Sequence, residues 1–319
     1  MRFPLADWID DHVTCRHNLG GSGMYRTVRL PVPSAADLRS GTEAELRVQL
    51  ASLLGVDASR VFLTHGATEA NSWAVFYLRR ARSGRAARCR VLYPEYPPLI
   101  DLPRLAGFRI TTGRGTSELA TISQPRNPVG DLWSVERLTT WSEGARATLV
   151  DETFREFTPA PSVQRLGLPG LWSTGSFTKV YGADDLRVGF VIPPEGEADG
   201  FARFHGLVAD EMPIYSVAGA LAILARRNRL LREVRSLIRR HQSLWHLANP
   251  GRPELSAPVA FDDPVPPDGN RFARRCLRAS ILVCPGSFFG RPSGVRIGLT
   301  RRTFPRDLAR YLSVRSAAA

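Results

Sequence analysis

Residues 176–187 read Ser176-Phe177-Thr178-Lys179-Val180-Tyr181-Gly182-Ala183-Asp184-Asp185-Leu186-Arg187. Strand-like runs flank the stretch, Gly170–Ser176 before it and Leu186–Ile192 after it. Of the 43 basic residues in the chain, Lys179 is the only lysine. A bias that strong replaces lysine wherever a generic positive charge suffices. The lysine that remains is a candidate for chemistry arginine cannot do. An ammonium can lose its proton and attack a carbonyl, whereas a guanidinium stays charged. Ser176, Thr178 and Arg187 are good phosphate ligands, and Lys179 is a potential Schiff-base former. A surface loop with an ordinary lysine is the bland alternative, but it leaves the position of the sole lysine to chance.

Outward from this stretch, helical and strand-like patterns alternate from about Thr42. Glu43–Leu54 has helical spacing and a plausible stop at Gly55. A strand over 60–64 leads into a helix opening at Gly66 and running to about Arg82. Strands are predicted over 89–93, 108–112, 119–123 and 147–151, and a helix over 135–143. Such alternation predicts an α/β fold, a mainly parallel central sheet flanked by helices. Beyond Met212 the pattern changes. A long helical stretch, Ser216–Leu247, is interrupted near Asn228, and a proline-rich segment occupies 250–267. Short strands at 281–283 and 295–299 and a helix at 305–314 suggest a small α+β lobe. The predicted division is a large domain, 38–212, and a small domain built from 1–37 and 213–319 with a long connecting helix.

Composition narrows the classes. At 319 residues with 43% hydrophobic and 23% charged, the chain is an ordinary globular protein. No apolar run is long enough for a membrane helix, and Asp7, Asp10 and Asp11 fall where a signal peptide would be apolar. The net charge of +13 is spread in short pairs such as Arg226-Arg227 and Arg239-Arg240. No zinc-finger or RNA-binding pattern accompanies it, so no nucleic-acid partner and no membrane partner are expected. Cys15, Cys89, Cys276 and Cys284 show no metal-ligand spacing. They read as the reduced thiols of a cytoplasmic protein without a metal site.

Three further signals precede the lysine. Gly66-Ala67-Thr68 lies between strand and helix, where free amides and a hydroxyl make a phosphate site. Asn127-Pro128-Val129-Gly130 reads as a turn, or as an amide presented at a strand's carboxyl end, where ligands of open α/β sheets bind. Asp151, after Thr148-Leu149-Val150, is a helix cap, a metal ligand or a partner for a cationic ring nitrogen.

The ordered set Gly66-Ala67-Thr68, Tyr96, Asn127-Pro128-Val129-Gly130, Asp151-Glu152, Ser176-x-x-Lys179 and Arg187 resembles the class I/II aminotransferases of fold type I, over roughly residues 42–300. Asp151–Phe157 and Pro213–Val217 look most like the branch of histidinol-phosphate aminotransferase and threonine-phosphate decarboxylase. The resemblance implies pyridoxal 5'-phosphate as cofactor, held as an internal aldimine on Lys179, which later moves the α-proton. It further implies Asp151 on the pyridine nitrogen, Asn127 on the phenolic oxygen and Tyr96 on the ring face. Gly66, Ala67, Thr68, Ser176, Thr178 and Arg187 would hold the phosphate. Arg296 would clamp the substrate carboxylate, and Gly21, in Asn18-Leu19-Gly20-Gly21, would belong to the segment covering the substrate.

The expected activity is transamination between an L-amino acid or related amine and an oxo acid, in a homodimer. Two departures motivate a decarboxylase or lyase as the alternative. Phe154 stands where many relatives have tyrosine, and the lobe between Asn249 and Ile281 is compressed. A tyrosine that reaches the partner subunit's phosphate in relatives is also missing between Thr27 and Leu46. A third reading is a catalytically silent binding module. The intact Lys179, Asp151 and Arg187 speak against it, and a resemblance beginning near residue 18 leaves no span for a fused DNA-binding helix.

Overall fold

The computed structural model describes residues 4–25, 27–34, 38, 41–80, 87–113, 115–263 and 268–317. Its strands are β1 (His17–Asn18), β2 (Phe62–Thr64), β3 (Arg88–Val91), β4 (Arg109–Thr111), β5 (Ser117–Ser123), β6 (Ala145–Asp151), β7 (Leu171–Ser176) and β8 (Gly189–Ile192). Four more follow: β9 (Val259–Asp262), β10 (Ile281–Leu282), β11 (Cys284–Pro285) and β12 (Val295–Gly298). Seven form one sheet in the order β2-β8-β7-β6-β5-β3-β4. β8 runs antiparallel to both its neighbours, and the other pairs are parallel. Fully buried runs such as Leu119–Ile122 and Ala147–Val150 explain the parallel centre, since such strands are covered on both faces.

Local chemistry sets several helices. Glu43–Leu54 begins where the Thr42 hydroxyl accepts the Glu45 amide at 3.1 Å and ends at left-handed Gly55, as its sequence predicts. The long helical stretch is two helices, Ile214–Ala225 and Arg227–Ala248, breaking at Arg226 rather than Asn228. The second buries Leu230, Leu231, Val234, Leu237, Ile238, His241 and Trp245, a continuous stripe at helical spacing.

Sequence patterning missed helices over Pro4–Asp11, Pro97–Leu105, Ala198–Val208 and Gly269–Arg278. Pro97-Pro98 opens the second of these, because proline fits a first turn that needs no amide donor. The proline-rich segment holds β9, and its residues 264–267 lie outside the described set, as does the expected helix end at 81–82. The strand expected from Leu186 begins only at Gly189, because Arg187 adopts a left-handed backbone with φ 51°.

A second apolar cluster gathers Leu19, Trp245, Phe272, Ile281, Val295, Phe304 and Tyr311 around the antiparallel sheet β11-β12-β9. The N-terminal segment is stitched into it. β1 pairs parallel with β10, and the Leu19 carbonyl accepts the Gly298 amide at 2.7 Å.

The same segment reaches the lysine loop, where the Met24 amide donates to the Lys179 carbonyl at 2.8 Å. Gly182, at φ 66°, makes this approach possible, since a Cβ there would lie 2.5 Å from the Met24 carbonyl oxygen. Gly182→Ala should therefore destabilise the fold by about 1–3 kcal/mol through strain and overlap. Urea unfolding midpoints check this, and an unchanged midpoint would mean that residues 23–25 are not held against the loop.

Candidate active site

The register of the parallel strands creates the site. Ser123 of β5 pairs with Asp151 of β6, which pairs with Thr174 of β7, so three strands end their ladders at one level. Ligands of open α/β sheets bind beyond such carboxyl ends. The chain after β7 turns at Phe177 into the single helical turn Thr178–Tyr181, which carries Lys179. A cavity of about 510 Å³ opens there. That is within the usual range for small-molecule pockets.

Lys179, Asp151, Asn127, Tyr96, Ala67, Thr68, Ser176, Thr178, Arg187, Arg296 and Gly21 all line this cavity. Gly66 is not among these lining residues but precedes Ala67 at the start of the helix. Its φ of 94° makes the turn, and its missing side chain makes room, since a Cβ would lie 2.8 Å from Arg187 Nη2. Arg187 also donates to the His65 carbonyl at 3.1 Å, so the guanidinium crosses the start of helix Ala67–Arg80. A helix N-terminus, the hydroxyls of Thr68, Ser176 and Thr178 and the Arg187 guanidinium thus share one cavity, the donor set of an anion cradle.

Asp151 is 3% exposed. One of its oxygens accepts the Thr153 amide at 2.9 Å, a local turn rather than a helix cap, since the next helical turn begins only at Arg155. The other accepts Asn71 Nδ2 at 2.8 Å, and Thr174 Oγ1 fixes Asn71 by donating to its Oδ1 at 2.7 Å. Burial holds the Asp151 carboxyl above the ordinary carboxylate range, against the pull of the Thr153 and Asn71 donors and Lys179. A buried acid so oriented, with no cation in contact among the described residues, fits a protonated ring nitrogen.

Asn127 is set by a relay absent from the sequence reading. Its amide donates to Ser123 Oγ at 2.8 Å, and Ser123 Oγ donates to Glu95 at 2.5 Å. Glu95 also accepts the Ser123 and Tyr96 amides at 3.0 and 2.6 Å. One buried acid thus fixes residues on both sides of the cavity. Burial pushes the Glu95 carboxyl up to about 7, opposed by Arg126 and these donors. Its only signal in the sequence is its place beside Tyr96. Burial likewise raises the Tyr96 phenol to about 12, while a hydrogen bond with Thr68 lowers it.

Arg296 is 1% exposed. Its Nη2 donates to the Gly20 carbonyl at 2.6 Å, its Nη1 to Asn127 Oδ1 at 3.3 Å, and Phe289 lies 5.1 Å below the guanidinium. Its Nε is buried without a partner, and no carboxylate pairs with it among the described residues. An uncompensated buried cation is costly, so this end of the cavity suits an incoming carboxylate.

Phe154, 4% exposed, also lines the cavity and packs edge-on against Phe157 at 5.9 Å. It offers no hydrogen-bond donor where a tyrosine would.

The sequence model of the class I and II aminotransferases matches residues 38–304. The chain belongs to that family. Its members work with pyridoxal phosphate, and the cavity fits that cofactor: an anion cradle, a reactive amine and a buried acid face one space. An aspartate aminotransferase of Thermococcus kodakarensis is 24% identical over 84% of this chain and 78% of its own length. A histidinol-phosphate aminotransferase of Natronomonas pharaonis is 24% identical over 79% and 76%. Among solved structures, an aminotransferase from Mycobacterium tuberculosis superposes with a TM-score of 0.82 at 17% identity, covering 100% of this chain and 97% of that one. The pyridoxal-phosphate-dependent cyclase OrfR superposes with a TM-score of 0.76 at 22% identity, covering 99% and 96%. Among the described residues, no helix is long and apolar enough to cross a membrane, and no cluster of three metal-ligating side chains occurs.

Glu95 gives a stability prediction. An acid raised in the folded state favours the fold while protonated, and that advantage is lost as pH rises from about 4.5 to about 7. Glu95→Gln should remove roughly 3 kcal/mol of that decline. Urea unfolding of both proteins at pH 5 and pH 8 gives the double difference, and equal slopes for the two proteins would contradict it.

Proposed function

We propose that this aminotransferase-family enzyme transfers the amino group of an L-amino acid or related amine, with Lys179 as the amine that anchors pyridoxal phosphate. The observation that carries the reading is the sole lysine, set in one cavity with buried Asp151 and with Arg187 and Arg296. When bound, the cofactor supplies an electron sink for the charge left on the substrate's α-carbon.

The remaining work falls to side chains. Ala67, Thr68, Ser176, Thr178 and Arg187 would hold the phosphate. Asp151, kept in place by Asn71 and Thr153, would keep the ring nitrogen protonated. Asn127 would bond the phenolic oxygen, and Tyr96 would cover the ring. Arg296 would orient the substrate through its carboxylate. Lys179 would take a proton from the α-carbon and return one. Its ammonium is held below the ordinary lysine range by burial, with Arg296 and Arg187 acting the same way and Asp184 and Asp151 opposing. A lysine so placed releases its proton more readily than a solvated one.

On this reading residues 38–212 form the cofactor domain. The small domain, 1–37 with 213–319, contributes Gly21 and Arg296. We also assign a cytoplasmic homodimer, supported by family practice and by exposed Val48, Ile214 and Tyr215, which give apolar surface for a second copy.

Bond cleavage other than transamination is the second reading, favoured by Phe154. Without a phenol donor, the ring's oxygen is held differently and the choice of bond can change. Product analysis separates the two. A keto acid with the cofactor left in its amine form supports transfer, whereas carbon dioxide or an aldehyde supports the alternative. Lys179→Ala should reduce turnover by at least about a thousandfold, and borohydride should fix the cofactor on Lys179 alone. Arg296→Lys should raise KM tenfold or more with a smaller change in kcat, because lysine cannot reproduce the bidentate pair. Undiminished activity in Lys179→Ala would refute both enzyme readings.

A further inference from the structure

The sequence around the lysine places an acid whose purpose the assignments above leave open. Asp184 follows Lys179 by five residues, in the turn Asp184–Leu186 after left-handed Gly182. The turn brings it back to the same cavity that Lys179 lines. Its Oδ2 is buried and has no hydrogen-bond partner, and no ion pair joins it to Lys179 among the described residues. The two groups stand in one space without touching, each without a neutralising contact.

We propose that Asp184 is a positioning acid for Lys179: its carboxylate faces the lysine nitrogen across the cavity and holds a proton there. The proposal rests on the reading of Lys179 as the reactive amine. Asp184 acts through the charge on Lys179 and does not itself meet the substrate.

The surrounding charges support this. Of all charged groups acting on Lys179, Asp184 has the largest effect, ahead of Arg296, Arg187 and Asp151. Burial in turn holds the Asp184 carboxyl above its ordinary range, with Lys179 the strongest opposing influence, then Arg187, while Asp185 pushes it higher. Helix Ile214–Ala225 packs against the turn and carries no charged side chain, only exposed Tyr215. The N-terminal segment brings Tyr25 and Asp10 to the cavity rim. Opposite charges lowered into one partly dry space favour two states, both ionised or both neutral, related by one proton moving between Nζ and the carboxylate. Arg296 and Arg187 drive the proton off Lys179, and Asp184 and Asp151 retain it. Loss of the Asp184 charge should free the lysine to lose its proton at lower pH.

Because Lys179 is the only lysine, the test can be read at one nitrogen. Reductive methylation of the full chain with carbon-13 formaldehyde labels Lys179 and the N-terminus. Lys179→Arg identifies which signal is which. The Lys179 signal is followed against pH by NMR without added cofactor. Asp184→Asn should lower its midpoint by about one unit or more, the size expected for losing one nearby opposite charge. Asp184→Glu should restore it, and Asp185→Asn should leave it nearly unchanged. With pyridoxal phosphate added, the pH midpoint of the visible band should move in the same direction in Asp184→Asn. A shift below about 0.3 unit in Asp184→Asn, or in an Asp184→Ser variant where the asparagine protein does not fold, would overturn the proposal. A wild type without a visible band or borohydride labelling would defeat the functional reading instead, while the NMR midpoint still decides the role of Asp184.

Discussion

Charged groups buried without opposite charges in contact are the constraint on which this structure turns. Buried Asp151 and Arg296 and the half-buried Lys179 face one cavity, and each lacks an ion-pair partner among the described residues. Burial of such groups costs several kcal/mol unless neighbours compensate. The fold compensates with oriented dipoles, from Asn71 and Thr153 at Asp151 and toward Gly20 and Asn127 at Arg296. What remains without an opposite charge in contact is one acid and several cations lining the same cavity. A ligand with a cationic ring nitrogen, a phosphate and a carboxylate completes that pattern.

The scaffold holds these charges because it is assembled from rigid, dry parts. Ser123, Asp151 and Thr174 are locked in register by three parallel strands. The N-terminal segment is tied to β10, to β12 and to the lysine loop, so it links the second apolar cluster to the chemistry. Glu95 performs the same task at smaller scale by joining the backbone at Tyr96 to Ser123 and so to Asn127. Side chains that never meet the ligand thereby set the position of those that do.

Much of the candidate site was legible because each functional position left a local mark. Lys179 stands out by residue type, Gly66-Ala67-Thr68 by its place between strand and helix, and Asp151 by closing an apolar strand. A sequence motif does not distinguish a glycine that touches a ligand from one that makes room for a neighbour, as Gly66 does for Arg187. Asn71, Ser123 and Asp184 left no mark. Asn71 and Ser123 become partners of the site only through a helix face and strand register that join distant positions, and Asp184 through a turn five residues past the lysine. The helix at 97–105 was hidden because prolines at its start and at 103 suggest a turn, and burial against the rest of the chain stabilises what propensity alone does not.

The sequence by itself determined the α/β alternation, the reactive amine and the order of the groups around it, because hydrophobic period and residue chemistry are local properties. Only the tertiary structure decided which charges share one buried space, which dipoles compensate them and which acid faces the lysine. Those are matters of distance and exposure between residues far apart in the chain, and electrostatic energy depends on both.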